Sequence, residues 1–137
     1  MSELSLQKDV VNSINNNGGH AFKSSNRFLV GVPDLWCKTK NGPGAWIEVK
    51  KSALPVRVGH VILELTVPQR RFLMAEHNAG GVVGVLSFIV GKGKLWAKIV
   101  KITDFPDDQK LLVSDHKLIT NRNRNLELLV WDFATEY

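Results

Sequence analysis

Apolar side chains recur at Leu4, Leu6, Val10, Val11 and Ile14 among polar neighbours, a spacing that predicts a helix with one buried face. Ser2 is a natural cap, Glu3 suits the positive end of the helix dipole, and Asn15-Asn16-Asn17-Gly18-Gly19 stops the run. A helix over Ser2–Asn17 follows, then a short strand over His20–Lys23 and the polar loop Ser24–Arg27. Residues 33–39 and 45–50 read as strands. The turn residues Asn41-Gly42-Pro43-Gly44 between them predict a hairpin. Residues 52–64 carry Pro55 and Gly59 and predict an extended excursion. Thr66 caps a second helix over Val67–Asn78, which Gly80-Gly81 ends. The run Val82–Val90 has the composition of a buried strand, and Gly91-Lys92-Gly93 turns it into another over Leu95–Val100. Beyond it lie a loop at 104–108, apolar islands at 111–113 and 118–119, and the polar, exposed run Asn121–Asn125. A final strand is predicted over Leu126–Phe133.

This order predicts an α/β fold: a mixed central sheet with helices on both faces, the second helix crossing over to a parallel strand. No repeat and no linker interrupts the chain, so its 137 residues are expected to form a single domain. That length, with 44% apolar residues, suffices for a core without metal or disulfide staples. Cys37 is the single cysteine, so no internal disulfide can form. With no secretory signal and no stretch near the roughly 20 apolar residues of a membrane span, a soluble cytoplasmic protein without membrane contact is expected. The net charge of +5 is a modest bias towards polyanionic partners.

The stretches Gly31-Val32-Pro33-Asp34 and Trp46-Ile47-Glu48-Val49-Lys50 carry the chemistry. Strand side chains alternate between faces, so Glu48 and Lys50 share one. Asp34 joins them if the hairpin register is even. Pairing Asp34 with Lys50 places Trp36 opposite Glu48; pairing Asp34 with Glu48 places Trp36 opposite Trp46. Either register gathers two carboxylates and a lysine, and a one-residue slip would scatter them. Two carboxylates are hard ligands suited to Mg²⁺. A salt-bridged strand pair uses the same residues, but Leu35, Ile47 and Val49 put these charges beside core, where an unpaired charge is costly.

These residues resemble the signature of the PD-(D/E)xK nucleases, and most of all their VRR-NUC branch, which occurs in phages and in DNA-repair enzymes. Pro68-Gln69-Arg70-Arg71-Phe72-Leu73 fits the glutamine-bearing helix of that pattern, and Ala79-Gly80-Gly81 leading into Val82-Val83-Gly84-Val85 fits the strand after it. The resemblance runs from about Ser2 to Val90 and implies a restriction-endonuclease-like fold. It implies metal ligation by Asp34, Glu48 and the backbone carbonyl of Val49. It assigns catalytic roles to Lys50, acting on the attacking water, and to Gln69, supporting the site. A first-helix glutamate joins the cluster in many relatives, and Glu3 is the acidic candidate here, although a dipole-complementing residue reads equally well. Gln69 likewise fits a capping box with Thr66. The chain departs from the pattern at 52–65, a longer insertion with Arg57 and His60, and after Val100.

The implied activity is Mg²⁺- or Mn²⁺-dependent hydrolysis of DNA, structure-selective on branched DNA of the Holliday-junction type, by a homodimer. Phage encoding would place it in the host cytoplasm. A flap, nick or end-processing nuclease and a non-catalytic DNA-binding module are the rival readings. Lys23, Ser25, Arg27, Lys51, Arg57, Arg70 and Arg71 are the candidate DNA contacts. His20, His60, His77 and His116 lack zinc-ligand spacing, Gly91-Lys92-Gly93-Lys94 is not a P-loop, and the four tryptophans read as core.

Overall fold

The computed structural model describes residues 1–24, 30–57 and 59–137. Helix α1 (Glu3–Asn16) opens the chain, capped by a reciprocal pair of hydrogen bonds between Ser2 and Ser5. Strands β1 (His20–Lys23), β2 (Leu35–Lys38) and β3 (Gly44–Ala53) form an antiparallel meander. Strand β4 (His60–Ile62) and helix α2 (Val67–Asn78) lead to β5 (Val82–Gly91), which pairs with β3 in parallel. Strand β6 (Lys94–Lys101) returns beside β5, and β7 (Lys110–Leu112), β8 (Lys117–Leu118) and α3 (Arg122–Thr135) complete the fold. The main sheet runs β1-β2-β3-β5-β6-β8, and β4 pairs with β7 in a separate ribbon. The expected mixed sheet with a parallel crossover is present.

Strand alternation divides the core. Ala45, Ile47 and Val49 of β3 and Leu86 and Phe88 of β5 face Leu6, Val10 and Ile14 of α1 and Leu126 and Val130 of α3. Val83, Val85 and Ile89 of β5 face the other way, towards Leu73 of α2 and Val61, Leu63 and Leu111 around the ribbon. Glu48 and Lys50 alternate with Ile47 and Val49, so they belong to this second face.

The expected strand over Leu126–Phe133 is instead the centre of α3. Leu126, Val130 and Ala134 recur at helical spacing and are buried, whereas Leu128 and Trp131 are exposed. Ser13 of α1 fixes the pairing of the two helices: its hydroxyl donates to the carbonyl of Asn123 and accepts from the backbone N–H of Glu127, both at 2.9 Å. Trp131 therefore departs from its expected core position, while Trp36, Trp46 and Trp96 are half-buried. The insertion and the tail, unmatched in the resemblance, meet each other. Val61 pairs with Leu111, and Gln109 binds the insertion twice, accepting from Leu63 N–H at 2.9 Å and from Leu65 N–H at 2.8 Å. Among the described residues no helix is long and apolar enough to cross a membrane.

Candidate active site

The β2–β3 ladder pairs Leu35 with Ile47 and Trp36 with Trp46, which is the second of the two registers expected from the sequence. Continued by one residue, it sets Asp34 against Glu48. The strand ends there because Pro33 has no N–H to offer a ladder. The main chain of Asp34 still accepts from Ser24 N–H at 2.8 Å. Its carboxylate takes over on the other side, Oδ2 accepting from the backbone N–H of Val49 at 2.9 Å. A side chain thus satisfies a buried donor that would otherwise be orphaned, and the carboxylate is held beside β3.

Glu48 is 3% exposed. Its Oε1 accepts from Gln69 Nε2 at 3.0 Å and lies 3.9 Å from Lys50 Nζ. Lys50 Nζ donates in turn to Gln69 Oε1 at 3.2 Å. Burial, and then the charge of Asp34, push the Glu48 carboxyl up from 4.5 to about 8, although the Lys50 ammonium pulls it down. Two carboxylates therefore crowd one another in a desolvated place, beside a single lysine.

Gln69 serves two ends at once. It is the third residue of α2, its N–H donating to Thr66 Oγ1 at 3.2 Å while its Oε1 accepts from Thr66 N–H at 2.9 Å, a complete capping box. The same amide bridges Glu48 and Lys50. Oε1 has two donors and Nε2 one acceptor, which fixes the amide's orientation. The helix start is anchored to the Asp34 segment by Gly31. With φ +86°, a Cβ there would lie 2.3 Å from the carbonyl oxygen of Pro68. Gly31→Ala should cost about 2–3 kcal/mol and withdraw Gln69 from Glu48. Gly80→Ala is the control: its φ is +91° but nothing lies within 4 Å of its Cβ position. Denaturation midpoints check both; equal losses in the two variants would refute the role of the Gly31–Pro68 contact.

The other candidate residues are dispersed. Glu3 is exposed in the first turn of α1, on the helix that packs against the opposite face of the sheet. Lys23 pairs with Leu35, one residue from Asp34, and lines a groove with Gln7 and Lys8. Lys51 is exposed and alternates to the face opposite Lys50. Arg57 and Arg71 are exposed, and the Arg70 guanidinium lies 5.3 Å over the Phe105 ring. Ser25 and Arg27 lie outside the described residues.

Among the buried polar groups not anticipated from the sequence are Gln7 and Ser87. Gln7 is 5% exposed, and its Oε1 has no hydrogen-bond partner among the described residues. The signal was its place on the Leu6–Val10–Ile14 side of an amphipathic helix. Ser87 pairs with Lys50 across the β3–β5 register and bonds to His116 Nε2 at 2.8 Å. His116 Nδ1 donates to the Leu112 carbonyl at 2.9 Å, so Nε2 accepts from the Ser87 hydroxyl. Burial holds the His116 pKa below its ordinary 6.5. The signal here was a lone serine within the apolar run Val82–Val90.

The donor set at Asp34 and Glu48 fits a hard divalent cation. Among the described residues no three His, Cys, Asp or Glu side chains form a metal-binding group. Two carboxylates and a carbonyl suit Mg²⁺, which keeps several of its waters. A cation there would also relieve the repulsion recorded in the raised Glu48 pKa.

This architecture is of the restriction-endonuclease-like α/β class. It is shared with the crystal structure of Hjc, a Holliday junction resolvase from the archaeal hyperthermophile Archaeoglobus fulgidus. The similarity has a TM-score of 0.59 at 14% sequence identity and covers 94% of this chain and 98% of that chain. It therefore extends well past Val90 into the tail. No family model and no curated protein matches the chain by sequence.

Proposed function

We propose that the protein is a divalent-metal-dependent endonuclease that hydrolyses phosphodiester bonds in branched DNA of the Holliday-junction type. The observation that carries this reading is the cluster of Asp34, Glu48, Lys50 and Gln69 at the hairpin end. The fold shared with a junction resolvase favours branched DNA over other substrates.

Asp34, Glu48 and the Val49 carbonyl hold the cation, Mg²⁺ or Mn²⁺, which when bound supplies Lewis acidity to the phosphate and a source of nucleophilic water at neutral pH. The remaining work falls to the chain. Lys50 Nζ has three donors and gives one to Gln69 Oε1, leaving two for the attacking water or a phosphate oxygen. Its charge offsets the negative charge that develops on the phosphate oxygens. Gln69 fixes the lysine and Glu48 relative to each other, so both arrive pre-oriented. Lys23, Arg57 and Arg71 supply sequence-independent phosphate contacts. The active species is a homodimer, because a two-fold axis presents two sites to two strands of a junction.

The test incubates purified protein with a four-way junction, a flap and a linear duplex of shared sequence. Cleavage is expected in Mg²⁺ and Mn²⁺, with the junction preferred. In Ca²⁺, binding should persist with little turnover, since its looser coordination aligns water and phosphate poorly. Full cleavage in excess EDTA would end the metal reading. Preference for the flap would move the substrate to end-processing. Binding without cleavage in any cation would leave a DNA-binding module.

A further inference from the structure

We propose that Val30, Val67 and Pro68 form a seat for an unstacked nucleobase beside the carboxylate–lysine cluster, an inference that rests on the nuclease reading above. Val30 is 79% exposed and Val67 is 62% exposed; Pro68 is exposed as well. Exposed aliphatic residues scattered singly need no explanation. These are not scattered. Gly31 lies against the start of α2, with 2.3 Å between the glycine's Cβ position and the Pro68 carbonyl oxygen; Val30 directly precedes Gly31 and Val67 directly precedes Pro68. Asp34 lies three residues beyond Gly31, and Gln69, bonded to both Glu48 and Lys50, directly follows Pro68. An apolar lip therefore borders the mouth of a site built for a polyanion.

Phosphates gain nothing from aliphatic surface. The groups of DNA that do gain are the flat faces of the bases, and in a continuous duplex those faces are stacked on one another. They become available where strands exchange, fray or end. Pro68 adjoins Gln69, which bonds both Glu48 and Lys50, so a base displaced next to the scissile phosphate would reach the lip while the phosphate meets Lys50. This makes branch selection a local property: a linear duplex satisfies the cationic contacts but leaves the lip facing water.

The experiment uses the full chain in Ca²⁺ with an immobile four-way junction carrying 2-aminopurine next to the branch, and a linear duplex of the same sequence. Binding of the wild type should raise the 2-aminopurine fluorescence of the junction as that base leaves its stack. In the double variant V30S/V67S the rise should be lost, and the ratio of junction to duplex affinity should fall about five- to tenfold. V30I/V67I, which keeps the surface apolar, should retain both. Unchanged fluorescence and affinity ratio in V30S/V67S overturn the proposal. So does a wild-type dimer that V30S/V67S splits, in light scattering, with the base signal intact; the lip would then be covered by a second copy. A wild type that shows the base signal but leaves the junction uncut in Mg²⁺ refutes the nuclease reading and leaves the seat standing. Failure to bind either DNA overturns both.

Discussion

Replacing either carboxylate, as Asp34→Asn or Glu48→Gln, should lower single-turnover junction cleavage in Mg²⁺ by more than about 10³-fold, roughly 4 kcal/mol of barrier, while leaving the metal-free protein folded and more stable. Both halves of this result come from the same cause. In the proposed mechanism the pair is the part of the cluster that attracts a cation, and without one it is a repulsive, desolvated couple. The amide oxygen that Asp34→Asn introduces can still accept from Val49 N–H, and the one that Glu48→Gln introduces can still accept from Gln69 Nε2, so neither change orphans a buried donor. Removal of one buried charge should add about 1–3 kcal/mol in metal-free buffer near pH 8, a rise of a few degrees in Tm. The pH dependence has a definite sign. Glu48 has a folded pKa of about 8 against an ordinary 4.5, so between those values the native state holds a proton that the unfolded chain has released. Metal-free stability should therefore decline as pH rises from about 4.5 to about 8, and the decline should disappear in Glu48→Gln. A cation held by Glu48 would have to displace that proton, so its apparent Kd should fall by about tenfold per pH unit on the way up and level off above the folded pKa. Thermal melts across this range, with and without Mg²⁺, measure both. Wild-type cleavage by Glu48→Gln would remove the site altogether.

Lys50→Met should lower the cleavage rate at saturating DNA by about 10²–10³-fold and change affinity in Ca²⁺ only a few-fold. Methionine keeps much of the aliphatic stem and removes the ammonium, so the loss reports charge and donors rather than packing. Lys50 is confined between Gln69 and Glu48, at 3.2 and 3.9 Å, with its side chain 18% exposed. That confinement suits the proposed fixed position at the reacting phosphate better than a mobile grip on the DNA backbone. Loss of the exposed Arg57 or Arg71 should show the opposite pattern, with weaker binding and a smaller salt dependence but a normal saturated rate. A Lys50→Met protein that binds poorly yet cleaves normally once saturated would make the lysine a phosphate anchor.

Much of this arrangement was legible in the chain because its causes are local. Alternation at period two put Glu48 and Lys50 on one face, and the Asn41–Gly44 turn brought Asp34 across from them. A slip of one residue would have put Asp34 on the face of Ile47 and Val49, away from Glu48 and Lys50. The caps of α1 and α2 were readable for the same reason, since each bond spans three residues. The sequence could not choose between the two even registers. The Trp36–Trp46 pairing did so through edge-on packing at 5.2 Å, with Phe72 of α2 completing the cluster against Trp46.

The tertiary structure decided whatever depended on partners distant in the chain. The run Leu126–Phe133 suits a strand by residue type and a helix by spacing. The outcome turned on Ser13, more than a hundred residues away, whose hydroxyl binds the first turns of α3. Insertion and tail were each uninterpretable alone, because each supplies one strand of the β4–β7 ribbon and part of the cluster beneath it. For Gln69 the sequence offered a cap, a site residue or both; in the fold the capping oxygen has a second lone pair that also reaches Lys50. The sequence by itself determined which residues could carry chemistry, since that follows from residue type and short-range periodicity. Only the tertiary structure determined which of them meet, because a contact between distant segments depends on the whole packed sheet and not on either segment.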